Sequence, residues 1–192
     1  MPLHVAVNLS ARALRDEHLP EEIAAALAHA GLPGAALTLE ITESQFTVDS
    51  AVSRRVLAGL RALGVRLSID DFGTGYSALA YLARLDVDEL KIDKSFILAM
   101  GDSDANMAIV RAVVEVADSL GLTTVAEGVE DQQAWDSLSV LGCTTAQGYL
   151  LSRPLPSDSM GMWLWERRRT ANPVSGPVRH RRQAVGHSLP RS

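Results

Sequence analysis

Two carboxylates stand side by side at Asp70-Asp71, closing a run, Arg66-Leu67-Ser68-Ile69, in which polar and apolar residues alternate. A glycine-spaced turn follows, Phe72-Gly73-Thr74-Gly75-Tyr76. Adjacent acids repel each other unless a cation or a proton offsets the repulsion. Taken alone, such a stretch reads equally well as a plain turn. Asn8, Glu40, Lys91, Glu127 and Gln147 share one setting with the pair: each falls at or near the C-terminal end of a different expected strand. Glu40, Asp70, Asp71 and Glu127, with the amide of Asn8, form an all-oxygen ligand set suited to Mg²⁺, Mn²⁺ or Ca²⁺ and not to zinc. The five histidines show no HExxH spacing. Two adjacent acids can serve two ions about 4 Å apart, the apparatus of in-line phosphodiester hydrolysis. Lys91 is one of only two lysines against 16 arginines. Its compact ammonium can hold or deprotonate an attacking water, or steady charge developing on phosphorus. No G-x-S-x-G elbow or Cys/His pair offers covalent catalysis. The residues point to a metal-dependent hydrolase of a phosphate ester.

The elements that must position these residues alternate along the chain. Strands are expected at 3–10, 36–42, 65–70, 87–93, 122–126 and 143–147. Helices are expected at 20–30, 50–63, 77–84, 104–120, 131–141 and 157–168, with apolar residues at helical spacing such as Val52, Val56, Leu60 and Leu63. Strand–helix alternation without hairpin signals means parallel strands with helices outside. An open doubly wound sheet and a (β/α)8 barrel both satisfy it. The first strand–helix turn lacks G-x-G-x-x-G, and polar residues crowd the C-terminal strand ends, as at the mouth of a barrel.

Length and composition bound the remaining possibilities. The 192 residues suit one domain with a real core. No apolar run reaches the roughly 18 residues of a membrane span. The N-terminus has no signal-peptide pattern, and the single Cys143 suits a reducing compartment, so a cytoplasmic location is expected. Residues 1–165 carry 11 Lys and Arg against 22 Asp and Glu; residues 166–192 carry 7 arginines against one glutamate. An acidic body makes a poor nucleic-acid partner. The basic end, rich in Pro, Gly, Ser and Arg, reads as a disordered tail that can touch anionic lipid or nucleic acid, a solvated end being the simpler reading. The expected organisation is a domain at 1–165 and a tail at 166–192.

Six segments together resemble the EAL-domain family of cyclic-di-GMP phosphodiesterases. They are Val7-Asn8-Leu9-Ser10, Leu39-Glu40-Ile41-Thr42-Glu43, the Asp70-Asp71-Phe72-Gly73-Thr74-Gly75-Tyr76-Ser77 stretch, Leu90-Lys91-Ile92-Asp93, Val125-Ala126-Glu127-Gly128-Val129-Glu130, and Gln147-Gly148-Tyr149 with Ser152-Arg153-Pro154. They keep the family's order and spacing across residues 3–156 or so. The resemblance implies a (β/α)8-like barrel that opens cyclic-di-GMP to linear pGpG with two Mg²⁺ or Mn²⁺ ions. It implies Asn8, Glu40 and Asp70 as ligands of the first ion, and Asp71 and Glu127 as ligands of the second, with Asp70 shared. Lys91 then engages the nucleophilic water, Glu43 fixes the loop after Asp71, and Gln147 supports the water and substrate network. Glu130 and Asp93 are further candidates. The loop at 72–77 is associated in the family with dimer coupling, and a fused or partner GGDEF or sensor domain is expected.

The family's eponymous Glu-Ala-Leu, whose Glu is a metal ligand and is followed by a substrate-holding Arg, does not occur in these residues. The expected fold is therefore a partial (β/α)8 TIM-like barrel with about six of its units, whether as a fragment, from a misplaced start, or as a degenerate domain. Two readings follow: a phosphodiesterase domain inactive as this chain stands, or an inactive cyclic-di-GMP-binding or protein-interaction module. An unrelated metal-dependent barrel lyase is a third.

Overall fold

The computed structural model describes residues 3–46, 50–73, 82 and 86–170. Six strands form one sheet in sequence order: β1 (Val5–Asn8), β2 (Leu37–Thr42), β3 (Arg66–Phe72), β4 (Glu89–Ile92), β5 (Thr123–Ala126) and β6 (Thr145–Ala146). Every pairing is parallel. A doubly wound sheet reverses its strand order at a switch point. This sheet never reverses, so it follows the winding of a barrel, and its six strands make a half-barrel.

The helices are α1 (Leu19–Ala30), α2 (Glu43–Phe46), α3 (Ala51–Ala62), α4 (Lys94–Ala99), α5 (Asp104–Leu120), α6 (Gln132–Leu141) and α7 (Ser157–Thr170). The helix expected at 77–84 falls almost wholly outside the described residues. Ser50, Ser103 and Asp131 cap α3, α5 and α6 by accepting backbone N–H groups, which places each start where the sequence puts it. Strand 4 is shorter than expected. Asp93 leaves it to cap α4, accepting from the Ser95 N–H.

Alternation along the strands sorts the residues by face. Leu39, Ile41, Leu67, Ile69, Leu90 and Ile92 share one parity and join Val56, Leu60, Val110, Val114 and Ala117 in the buried core, as strands covered by helices require. The opposite, concave parity is polar: Thr38, Glu40, Arg66, Ser68, Glu89, Lys91 and Thr123. A cleft of about 510 Å³ on this side is bordered both by His4, Val5 and Ala6 beside or in β1 and by Thr145, Ala146 and Gln147 at β6. The sheet therefore curls so that its two edges face one space.

The chain divides into two compact units, Met1–Arg153 and Pro154–Ser192. The described part of the second, residues 154–170, holds α7, which runs through residue 165, where the sequence suggests a boundary. Among the described residues no helix is long and apolar enough to cross a membrane.

Candidate metal and phosphodiester site

Neighbouring parallel strands hold equivalent positions about 5 Å apart, so register decides which side chains meet. Asn8 pairs with Glu40, Thr42 with Asp70, and Lys91 with Val125, one position before Ala126 and two before Glu127. Five strands thus bring polar residues toward one patch. Lys91 is 4% exposed. Its Nζ lies 3.0 Å from Glu40 Oε2, 3.0 Å from Asp70 Oδ1 and 2.6 Å from Glu127 Oε1. Lys91 stands one residue before the C-terminal end of β4, near the strand end where the sequence puts it.

Asp70, Asp71 and Glu127 each offer a carboxylate oxygen, and these oxygens lie within 4.8 Å of one another. Asp71 reaches this cluster through an unusual backbone. Its φ is +55°, rare for a residue with a Cβ, at the point where the β3–β4 register shifts between Ile69 and Phe72. A regular strand would turn consecutive side chains to opposite faces. The irregularity allows Asp70 and Asp71 to address the same space. The Asp71 N–H donates to Asp70 Oδ1 at 3.0 Å. Glu43, buried at the start of α2, accepts the Gly73 N–H at 3.1 Å and so fixes the turn after the acid pair. Gly73 has φ +99°, and a Cβ there would meet the Phe96 ring at 3.1 Å.

The protonation energetics reflect charge crowding. Burial raises the pKa of Glu40, opposed by its hydrogen bond to Lys91 and assisted by Asp70 and Glu127. Burial and the charges of Asp70 and Asp93 raise that of Asp71, which also shares a side-chain hydrogen bond with Asp93. Burial acts to lower the pKa of Lys91, but its bonds to Glu127, Asp70 and Glu40 outweigh it and the net shift is upward. In the metal-free chain Lys91 is therefore a fixed cation, a better holder and electrostatic stabiliser than a base. Burial also opposes ionisation of Asp93, yet hydrogen bonds from Ser95 and Lys94 hold its pKa below the ordinary value.

Three carboxylates thus share one ammonium with Asp71 close by, and two of the four, Glu40 and Asp71, resist ionising. Such a donor set fits hard divalent cations, which would supply the missing positive charge. Glu40, Asp70, Asp71 and Glu127, with exposed Asn8 in register beside Glu40, are the residues able to hold them. Bound there, the ions would activate water and polarise a phosphoryl oxygen.

The remaining candidates lie around this centre. Gln147 follows β6, its N–H donating to Ala126 O and its carbonyl accepting from Val129 N–H, with an exposed side chain at the cleft. Gly148 makes this possible: a Cβ there would lie 2.2 Å from the Val129 carbonyl oxygen. Glu130 is exposed. Of the loop at 72–77, residues 74–77 lie outside the described residues. The sequence reading did not single out Arg66, whose guanidinium lies 3.1 Å from Thr123 Oγ1 and 3.9 Å from Glu89 Oε2 on the concave face. Strand parity with Asp70 was the signal for it.

The family model described as EAL domain matches residues 1–154. The chain belongs to the EAL domain family. The cyclic di-GMP phosphodiesterase NbdA of Pseudomonas aeruginosa is 45% identical over 184 residues, 95% of this chain and 23% of NbdA. A solved structure titled as the phosphodiesterase MucR of the same organism, in complex with c-di-GMP, superposes with a TM-score of 0.77 at 44% identity, covering 82% of this chain and 64% of that one. BlrP1 of Klebsiella pneumoniae, solved as a manganese and cyclic-di-GMP complex, gives 0.74 at 37% identity, covering 79% of this chain and 39% of that one. The chain spans less than a quarter of the length of these curated relatives.

Proposed function

We propose that these residues are the greater part of a phosphodiesterase domain that opens cyclic-di-GMP to linear pGpG in bacterial second-messenger signalling. The observation that carries this reading is the placement of Lys91 Nζ among Glu40, Asp70 and Glu127, with Asp71 joining the last two in one oxygen cluster. Support comes from the relatives named as phosphodiesterases and from BlrP1, solved as a complex with manganese and cyclic-di-GMP. In this reading two Mg²⁺ or Mn²⁺ ions are held by Asn8, Glu40, Asp70, Asp71 and Glu127. Water attacks one phosphorus in line, its oxygen forms the new P–O bond, and the 3′ oxygen leaves with a proton. Lys91 holds the water and offsets charge on the phosphoryl oxygens, Glu43 fixes the Asp71 turn, and Gln147 orients substrate. Glu130 and Asp93 serve as outer partners.

The proposal extends to the setting. The domain occupies residues 1–165 with a basic tail at 166–192, works in the cytoplasm, and pairs with a second copy through residues 72–77. It is joined to a GGDEF or sensor domain, in keeping with MucR, named a bifunctional diguanylate cyclase and phosphodiesterase. Because no Glu-Ala-Leu occurs in these residues, turnover by the isolated chain is expected near zero. A chimera carrying, ahead of residue 1, the segment of MucR that precedes its matched region should hydrolyse cyclic-di-GMP with Mn²⁺ and stop on chelation. Binding of the nucleotide by the chimera without any cleavage would overturn the enzymatic reading in favour of a binding module.

A further inference from the structure

Helix α7 (Ser157–Thr170) is apolar in its middle and cationic at its end. Its sequence runs Met160-Gly161-Met162-Trp163-Leu164-Trp165-Glu166 and then Arg167-Arg168-Arg169. Two of the chain's three tryptophans lie within these few residues. A helix that belongs to a core buries such side chains. Here Met162 is 69% exposed and Trp165 56%, and they stand three residues apart on one side of the helix. Met160 is exposed as well. The Arg167 guanidinium stacks over the Trp163 ring at 4.8 Å, which joins the apolar segment to the cationic one.

We propose that α7 is an interfacial segment that docks on an anionic lipid surface. Tryptophan favours the depth of the lipid headgroups, where its ring meets acyl chains and its N–H meets water. Methionine and leucine beside it fill the headgroup–acyl boundary. Arginines one turn further along then lie at the level of lipid phosphates, which accept their paired N–H groups. Charge complementarity selects this occupant. Residues 166–192 carry 7 arginines against one glutamate, whereas residues 1–165 carry twice as many acids as bases. An anionic surface repels the body and attracts only the C-terminal end, which fixes the approach. Nucleic acid offers the arginines phosphate too, but no apolar boundary in which Met162 and Trp165 can bury together. The inference does not rest on the catalytic reading.

Co-sedimentation of the 192-residue chain with phosphatidylcholine vesicles, with and without phosphatidylglycerol, tests it. Binding should require phosphatidylglycerol, weaken as salt rises, and be accompanied by a blue shift of tryptophan emission. Each arginine near an anionic surface contributes about fivefold in affinity. Replacing Arg167, Arg168 and Arg169 together by Gln should therefore lower binding about a hundredfold. The double variant Met162→Ala, Trp165→Ala should lose at least tenfold at unchanged charge. Its far-ultraviolet circular dichroism should match the parent chain, since both replaced side chains are exposed. Four outcomes overturn the proposal: no binding to either vesicle, equal binding to both, loss with the arginine variant alone, or duplex DNA displacing the chain from vesicles at equal phosphate concentration.

Discussion

Lys91 is the residue on which the metal-free site depends. Its ammonium is buried and touches three carboxylates, so removing it leaves them with no compensating charge. Lys91→Met should cost about 3 kcal/mol of stability in urea denaturation with chelator present, the order found when one partner of a buried ion pair is lost. It should also abolish turnover in the chimera at any Mn²⁺ concentration. Asp71 behaves in the opposite sense. Its folded pKa and that of Glu40 lie above their ordinary values, so the folded chain retains protons that the unfolded chain has released. That contribution is complete below the unfolded pKa values and is lost as pH rises through the folded ones. Asp93, with a lowered pKa, contributes oppositely: its share is present above its unfolded value and is lost as pH falls through the folded one. Through Asp71 and Glu40 the metal-free chain should therefore lose stability as pH rises from their ordinary carboxylate pKa values through the raised folded ones. Asp71→Asn should flatten that slope and raise neutral-pH stability by roughly 0.5 kcal/mol, a modest gain because the group is partly solvated. Calorimetric Mn²⁺ binding should fall in the same variant, an exchange of function for stability. Unchanged Mn²⁺ affinity in Asp71→Asn would remove it from the ligand set.

Elements were legible in the sequence to different depths, for physical reasons. Alternation of strands and helices, the approximate helix starts and the placing of Asn8, Glu40, Asp70, Glu127 and Gln147 near strand ends follow from periodicity and position, and the structure has that order and register, although Ser103 caps α5 where the sequence favours Asp104. Asp93 did not read as a cap. An Ile-Asp step ending an apolar run looks like strand until Ser95 is seen to donate its N–H backward. The two glycines that hold loops against neighbours were also hidden, since only three-dimensional proximity reveals what a Cβ would strike. They supply an element-scale prediction. Gly73→Ala forces a Cβ onto a φ of +99° and against Phe96, while Glu43 still requires the turn's N–H. The expected cost is about 1–3 kcal/mol, with Mn²⁺ affinity reduced because the turn after Asp71 moves. Gly148→Ala, facing the Val129 backbone at 2.2 Å, should cost at least as much and displace Gln147. A melting temperature unchanged in either variant would mean that the loop relaxes freely and holds nothing in place.

At the scale of the whole molecule, the half-barrel leaves a consequence at its rims. β1 and β6 end the sheet, and both border the same concave cleft. A barrel abolishes such edges, and an open parallel sheet exposes rows of backbone donors and acceptors that pair with any extended chain. β1 is the more hazardous edge. It has four residues, all exposed, and on the face where β2, β3 and β4 bury Leu39, Leu67 and Leu90 it presents Val5 at 56% and Val7 at 45% exposure. It carries no lysine, no proline and no bulge, the usual devices against edge pairing. This chain should therefore self-associate with rising concentration in light scattering. Val5→Lys and Val7→Lys together should suppress that association, because an inserted charge is costly to bury in a paired edge. The change should leave Mn²⁺ affinity intact, since both valines occupy the parity opposite to Asn8. Association that persists unaltered in the lysine variant would place the contact elsewhere, and the exposed methionines and tryptophan of α7 would be the next surface to substitute.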